Sequence, residues 1–203
     1  MSDIFELFEG NQKKIQFYGL TVAIVTNNED PEGLGRVKVA FPWNNENETY
    51  WARLSVLMAG NNKGTFFIPE VGDEVIVAFE SGDINYPIVL GSVWNGQDNP
   101  PETNIKIKKI KSSAGHEIIL NEEDDTIHIK TSSGDEINFE TGTKITIKSG
   151  ENEIELNQQS QELKIKSSLN LSIEATVLEI KGTNIDIKAD GVLTLKGSLV
   201  RIN

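Results

Sequence analysis

Two hundred and three residues are enough for one large or two small domains. A formal charge of −12, from 31 acidic against 19 basic side chains, leaves no excess of Lys or Arg to neutralise phosphates. That excludes nucleic acid as a natural partner and disfavours an anionic membrane surface, while the absence of cysteine removes disulfides and thiolate chemistry.

The N-terminal MSDIFELFEG carries acids where a secretory signal would carry bases, and no apolar run approaches the length of a membrane span. The chain is therefore expected to be made in the cytoplasm, with any export using another route. Within residues 1–17, Ile4, Phe5, Leu7 and Phe8 group on one side of a predicted short amphipathic helix.

Five runs then alternate in hydrophobicity with β-branched or aromatic residues and read as strands: Tyr18–Val25, Gly35–Trp43, Tyr50–Leu57, Asp73–Glu80 and Tyr86–Trp94. The connections NNEDPEGLG, NNENET, AGNNKG and ESGDIN supply the residues that turns need. Five short strands in about 80 residues fit a small closed barrel, because closure removes exposed edges; the commonest such barrel is the OB-fold, placed here at residues 18–97. Its basic side chains Arg36, Lys38 and Arg53 are expected to pair with acids of a neighbouring barrel. Trp43, Trp51 and Trp94 are read as core and subunit-contact residues rather than a stacking platform, given the charge of −9 on residues 1–104.

At DNPPETN, Asp98 to Asn104, the composition changes. All six prolines, all three tryptophans, all three tyrosines and seven of the eight phenylalanines precede Ile105; Phe139 is alone beyond it. The stiff proline pair marks a linker and neck, taken as 98–111. Residues 112–203 form the second domain. Here apolar residues stand two apart eleven times, around a polar residue in every pair but the first: Ile118 and Leu120, Ile127 and Ile129, Ile137 and Phe139, Ile145 and Ile147, Ile154 and Leu156, Leu163 and Ile165, Leu171 and Ile173, Leu178 and Ile180, Ile185 and Ile187, Leu193 and Leu195, Val200 and Ile202. Successive pairs start 7 to 10 residues apart.

A short strand with two such residues buries too little to offset the entropy of ordering its repeat, so it must stack on neighbours. A single-chain solenoid and three intertwined chains both satisfy that. The trimer is favoured: the sequence shows no cap for a last coil, and a narrow axial core has no room for rings. Each strand would stack on a strand of another chain, giving a prism about 50 Å long. Its core is expected to hold Ile118, Leu120, Ile127, Ile129, Ile137, Phe139, Ile145, Ile147, Ile154, Leu156, Leu163, Ile165, Ile185 and Ile187.

Three segments, GLGRVKVAFPW (Gly33–Trp43), YWARLSVLMAG (Tyr50–Gly60) and FFIPEVGDEVIVAFESGDINYPIVLGSVWNG (Phe66–Gly96), resemble the OB domain of central spike proteins of contractile injection machines. These are the phage baseplate assembly protein V family and the OB plus β-helix part of VgrG. SSAGHEIILNEEDDTIHIKTSSGDEINFE (Ser112–Glu140) is similar to the start of that family's triple-stranded β-helix. The resemblance implies an all-β homotrimer: an N-terminal OB barrel seated on a trimeric baseplate hub protein, and an intertwined triple-stranded β-helix that punctures the target cell membrane. It further implies assembly in a phage tail or injection-system particle, virion or extracellular. VgrG carries its own hub domain; this chain, similar to the short phage-type spike, is expected to use a separate one. Some short spikes end in a histidine-rich iron-binding apex, whereas no histidine follows His128 here. A separate PAAR-type tip protein is expected to cover Leu199, Val200 and Ile202.

No metal, cofactor or catalytic site is expected. His116 fits a turn or neck contact, His128 points to the polar side of its strand, and Glu122 to Asp125 are adjacent rather than alternately spaced, as a solvated turn would have them. The alternative function is a carbohydrate-binding or adhesive module on a trimeric fibre, with Trp43 and Trp94 at the ligand.

Overall fold

The alternation that marks the five runs also decides which side chains the first unit buries. The computed structural model describes residues 16–42 and 48–202; the helix predicted around Ile4, Phe5, Leu7 and Phe8 lies outside the described residues, as does Trp43. The chain divides into two compact units between Thr103 and Asn104.

In the first unit every predicted run forms a strand, shorter than the run itself. These are β1 (Thr21–Asn27), β2 (Lys38–Ala40), β3 (Arg53–Leu54), β6 (Glu74–Phe79) and β7 (Pro87–Ser92). Between β3 and β6 lies a small hairpin of β4 (Ala59–Gly60) and β5 (Lys63–Gly64), where the sequence pattern gave only a turn. Asn62 sits at φ 53° in its turn. At Gly64, φ is 148°, and a Cβ would collide with the Met58 carbonyl oxygen, so glycine is required where the two strands meet.

The sheet order is β2-β1-β6-β7-β3. Only the β3–β7 pair is parallel. Val37 and Ala52 donate to each other's carbonyls at 3.0 and 2.7 Å, joining the ends of the order into a ring. This is the five-stranded Greek-key barrel of the OB-fold. Inward positions supply the core: Ala23 and Val25 from β1, Val39 from β2, Val75, Val77 and Phe79 from β6, and Val89 from β7, with Val37, Phe41 and Ala52 beside the closing bridge. Small and β-branched side chains suit so narrow a barrel. Phe79 packs against Phe41, with ring centroids 5.6 Å apart, and edge-on against Phe17 at 5.7 Å.

The second unit is one sheet of seven strands: β8 (Ile107–Lys111), β9 (Glu117–Asn121), β10 (Thr126–Lys130), β11 (Glu136–Glu140), β12 (Lys144–Ser149), β13 (Asn152–Asn157) and β14 (Glu162–Lys166). Each pairs antiparallel with the strand before it, in the order β14 to β8. The apolar pairs from Ile118 to Ile165 each lie on one of these strands. β8 lies within 98–111 and carries Ile107 and Ile110, whose spacing breaks the alternation that marks the others.

Here the hydrogen-bonded neighbours come from the same chain, where the sequence pattern led us to expect neighbours from another. The reason is local: the six connections between Lys111 and Glu162 hold two to five residues, hairpin length, and closing so short a loop costs little entropy. Residues 167–202, with the last five apolar pairs, form no strand within the chain.

Replacing Phe41, 2 % exposed, with alanine is expected to destabilise the barrel by about 3–5 kcal/mol, read from the urea midpoint of the first unit's tryptophan fluorescence. Phe66→Ala, at a site 79 % exposed, is expected to change it by less than about 0.5 kcal/mol.

Candidate assembly surfaces

The period-two pattern of the second unit, once paired antiparallel in register, becomes two rows across one face of the sheet. One row is Ile110, Ile118, Ile129, Ile137, Ile147, Ile154 and Ile165, each the Cα partner of the next. The other is Leu120, Ile127, Phe139, Ile145, Leu156 and Leu163, with Lys108 of β8 at its head. Ile118, Ile127, Ile129, Ile147 and Leu156 are each 40–44 % exposed, so neighbours along the rows cover about half of each side chain and nothing lies above them. A contiguous apolar face of this kind on a folded chain is an interaction surface. Phe139 shares its row with Ile127 and Ile145, the side the alternation assigns to it.

The opposite face is polar except at Ile119, the Cα partner of His128 and Lys109, and is organised in the same rows. Along one margin run Lys111, Glu117, Lys130, Glu136, Lys148, Glu153 and Lys166, again each the Cα partner of the next, with the sign of charge alternating at every step. Opposite charges on facing positions of antiparallel strands stabilise a register, and like charges destabilise it. The Lys111 ammonium donates to Glu117 at 2.9 Å and holds that carboxyl below its usual range, with Lys109 and Lys130 adding to the effect. His128, in the middle row, places Nε2 3.0 Å from a Glu136 oxygen. The turn after β10 is tied by Asp135, whose carboxylate accepts from the hydroxyls of Ser149 at 2.6 Å and Ser133 at 2.8 Å and is held below its ordinary range mainly by Ser149.

On the barrel, Arg36, Lys38 and Arg53 each pair with an acid of the same chain, which corrects the expectation that they pair across barrels. Asp30, 4 % exposed at its side chain, accepts from the backbone N–H of Glu32, Leu34 and Arg36 and from Arg36 Nε at 2.9 Å and Nη2 at 2.7 Å. The Arg36 guanidinium holds the Asp30 carboxyl far below the usual carboxylate range, against the opposing effect of burial. Lys38 pairs with Glu48 at 3.0 Å, and Arg53 with Glu80. Trp51 lies under both Arg36, 5.8 Å from its ring centre, and Lys38, at 5.5 Å, so cations of the barrel itself occupy that ring. Trp94 is 68 % exposed. A groove lined by Leu34, Leu54, Met58, Phe66 and Ile68 opens between the β1–β2 loop and the β4–β5 hairpin.

Of the fourteen residues assigned to the axial core, the structure brings twelve into the two rows; Ile185 and Ile187, like Leu199, Val200 and Ile202, lie in the segment without strands. His116 accepts at Nδ1 from the Ser132 amide at 3.3 Å, bridging two turns. Glu122 to Asp125 form the β9–β10 turn, with Asp125 at φ 54° and Asn121 Nδ2 donating to Asp124. Among the described residues no group of three or more His, Asp or Glu could hold a metal ion. The charge ladder was missed, although its signal is present: Glu directly precedes one apolar pair and Lys directly follows the next.

Barrel order and closing bridge define an OB-fold unit, joined in sequence to a sheet with one uncovered apolar face. Residues 21–94 match the family described as Type VI secretion system/phage-baseplate injector OB domain, so this chain carries that domain. It is similar to the type VI secretion system spike protein VgrG1a of Pseudomonas aeruginosa, 46 % identical over 72 residues, covering 33 % of this chain and 11 % of the relative. It is 39 % identical over 101 residues to a Vibrio cholerae protein named actin cross-linking toxin VgrG1, covering 45 % of this chain and 9 % of that protein. With the spike protein VgrG3 of Vibrio cholerae the identity is 37 % over 97 residues, 43 % of this chain and 10 % of the relative. The matched part is thus about a tenth of each of these relatives.

Because the folded carboxyl of Asp30 is depressed, its stabilisation is complete above the ordinary carboxylate value near pH 4 and is lost as pH falls toward the folded value. Urea denaturation is expected to show wild type well above Asp30→Asn at pH 7, with the gap narrowing steadily below about pH 4. A gap that widens on acidification would reverse the sign assigned here.

Proposed function

We propose that this protein is the central spike of a contractile tail or injection machine and acts mechanically rather than as an enzyme. The observation that carries this is the pair of apolar rows left uncovered on a chain whose barrel is of the injector kind. Three copies packing those faces around one axis enclose both rows, with Ile185 and Ile187 continuing the core toward the far end. The polar faces, with their own charges already paired, then form the outside of a three-sided needle.

The OB barrels seat on a trimeric hub protein, and a PAAR-type tip protein covers Leu199, Val200 and Ile202. Sheath contraction drives the assembly, and a narrow stiff needle concentrates the force on the target envelope. Separating the chains requires exposing every row at once, so kinetic stability accompanies stiffness. The negative charge of the chain keeps nucleic acid out of this role.

Multi-angle light scattering at micromolar concentration is expected to give three times the chain mass of 22.5 kDa. Ile129→Asp combined with Ile147→Asp places carboxylates in the axial core, where an unpaired charge costs several kcal/mol, and is expected to yield monomers. A wild-type monomer would sink the spike reading.

A further inference from the structure

Three strands of the barrel are apolar on both faces. Ala23, Val25, Val75, Val77 and Val89 belong to the core, so the residues between them face outward: Val22 and Ile24 on β1, Ile76 and Ala78 on β6 and Ile88 on β7, with Leu90 at a break in the β6–β7 register. Val22 is the Cα partner of Ile76, and Ala78 of Ile88, which joins the outward residues across the three strands. Val22, Ile24 and Leu90 are each 38–43 % exposed. The rim is polar. Glu74, the Cα partner of Ile24, accepts from Asn95 at 2.7 Å, and Arg53, the partner of Ile88, is paired with Glu80. An open apolar face inside a polar rim marks a contact site.

Its size bears on what it holds. Three strands about 4.8 Å apart, with two outward residues on each, make a face of roughly 200 Å². That is far below the surface of about 800 Å² that each partner commits to a stable complex. A tethered segment needs much less, because its local concentration replaces the entropy of association.

Such a segment enters the barrel beside this face. Gln16 bridges to Asp83, and the Phe17 amide donates to the Gly82 carbonyl at 2.8 Å, at the end of the strand pair that carries Val22 and Ile76. The fifteen residues before Gln16 include the predicted amphipathic helix. At 100° per residue Ile4, Phe5, Leu7 and Phe8 fall on one side of it, with Asp3 and Glu6 on the other. Six residues, Gly10 to Ile15, join this stretch to Gln16 and can carry it back as far as the six steps from Gln16 to Val22 carry the chain forward. Lys13 and Lys14 lie just ahead of the bridge, where Glu80 and Asp83 line one surface recess.

We propose that Ser2 to Glu9 fold back over the outer face of β1, β6 and β7 of their own chain, setting Ile4, Phe5, Leu7 and Phe8 against Val22, Ile24, Ile76, Ala78, Ile88 and Leu90. The two apolar surfaces then cover each other, and the acids of the segment stay in water. The contact lies within one chain and does not depend on the spike reading.

The chain has no cysteine, so Val22→Cys places a single thiol on the face in the full-length protein. Its reaction with a water-soluble maleimide is expected to be slow and to speed up about tenfold when Phe5→Ser and Phe8→Ser are added, as covering by a detachable segment requires. Asp3→Ser with Glu6→Ser is expected to leave the slow rate unchanged. A thiol that reacts equally fast with and without the two phenylalanines means an uncovered face and overturns the proposal, as does opening by the acid substitutions to the same extent. Co-expressing the Val22→Cys, Phe5→Ser, Phe8→Ser chain with an excess of cysteine-free wild-type chain tests the origin of the cover. The thiol is expected to stay fast; slowing it would assign the face to the segment of a second copy and overturn docking within the chain. The urea midpoint of tryptophan fluorescence is expected to fall only slightly with Phe5→Ser and Phe8→Ser, and a fast thiol in a barrel that has lost this transition reports unfolding and counts against docking.

Discussion

A strand that carries two apolar side chains can satisfy its hydrogen bonds and still fail to bury its hydrophobic surface. Everything in the second unit follows from that separation. The backbone of β8–β14 is paired by the chain's own hairpins, so the sheet has its register without help. The rows that begin at Ile110 and Leu120 are only half covered by that pairing, because sheet formation brings side chains together edge to edge and leaves the face above them open. A second apolar surface laid over that face would complete their burial.

The barrel resolves the same conflict alone. Its five strands close through Val37 and Ala52, so inward side chains meet one another across a lumen narrow enough for valines to fill. Its loops are fixed by polar contacts: Asp30 gathers three backbone N–H groups and the Arg36 guanidinium, and Arg36 in turn lies over Trp51. The core of the first unit is thus self-sufficient in burial, whereas the second unit keeps an uncovered apolar face.

Much of this was legible in the alternation. The five barrel strands and six of the seven sheet strands were marked by period two, because a strand with one buried face cannot hide that period in its sequence. β8 was not, since Ile107 and Ile110 are three apart and its place in the sheet is decided by pairing with β9. The β4–β5 hairpin was hidden in a stretch read only as a turn, where Asn62 and Gly64 supply the backbone geometry. The pairs Arg36–Asp30, Lys38–Glu48 and Arg53–Glu80 were assigned to the wrong partners because sequence shows the charges but not which acid the folded loops bring within reach.

By itself the sequence determined which side of each strand is apolar, where the two parts of the chain divide in composition, and which residues line the face. Side-chain period survives any choice of partner strand, so it can be read before the partners are known. Tertiary structure decided who those partners are. Connections of two to five residues let β8–β14 fold back on themselves, and only that pairing turns scattered Lys and Glu residues into an alternating ladder and thirteen scattered aliphatic and aromatic side chains into two continuous rows.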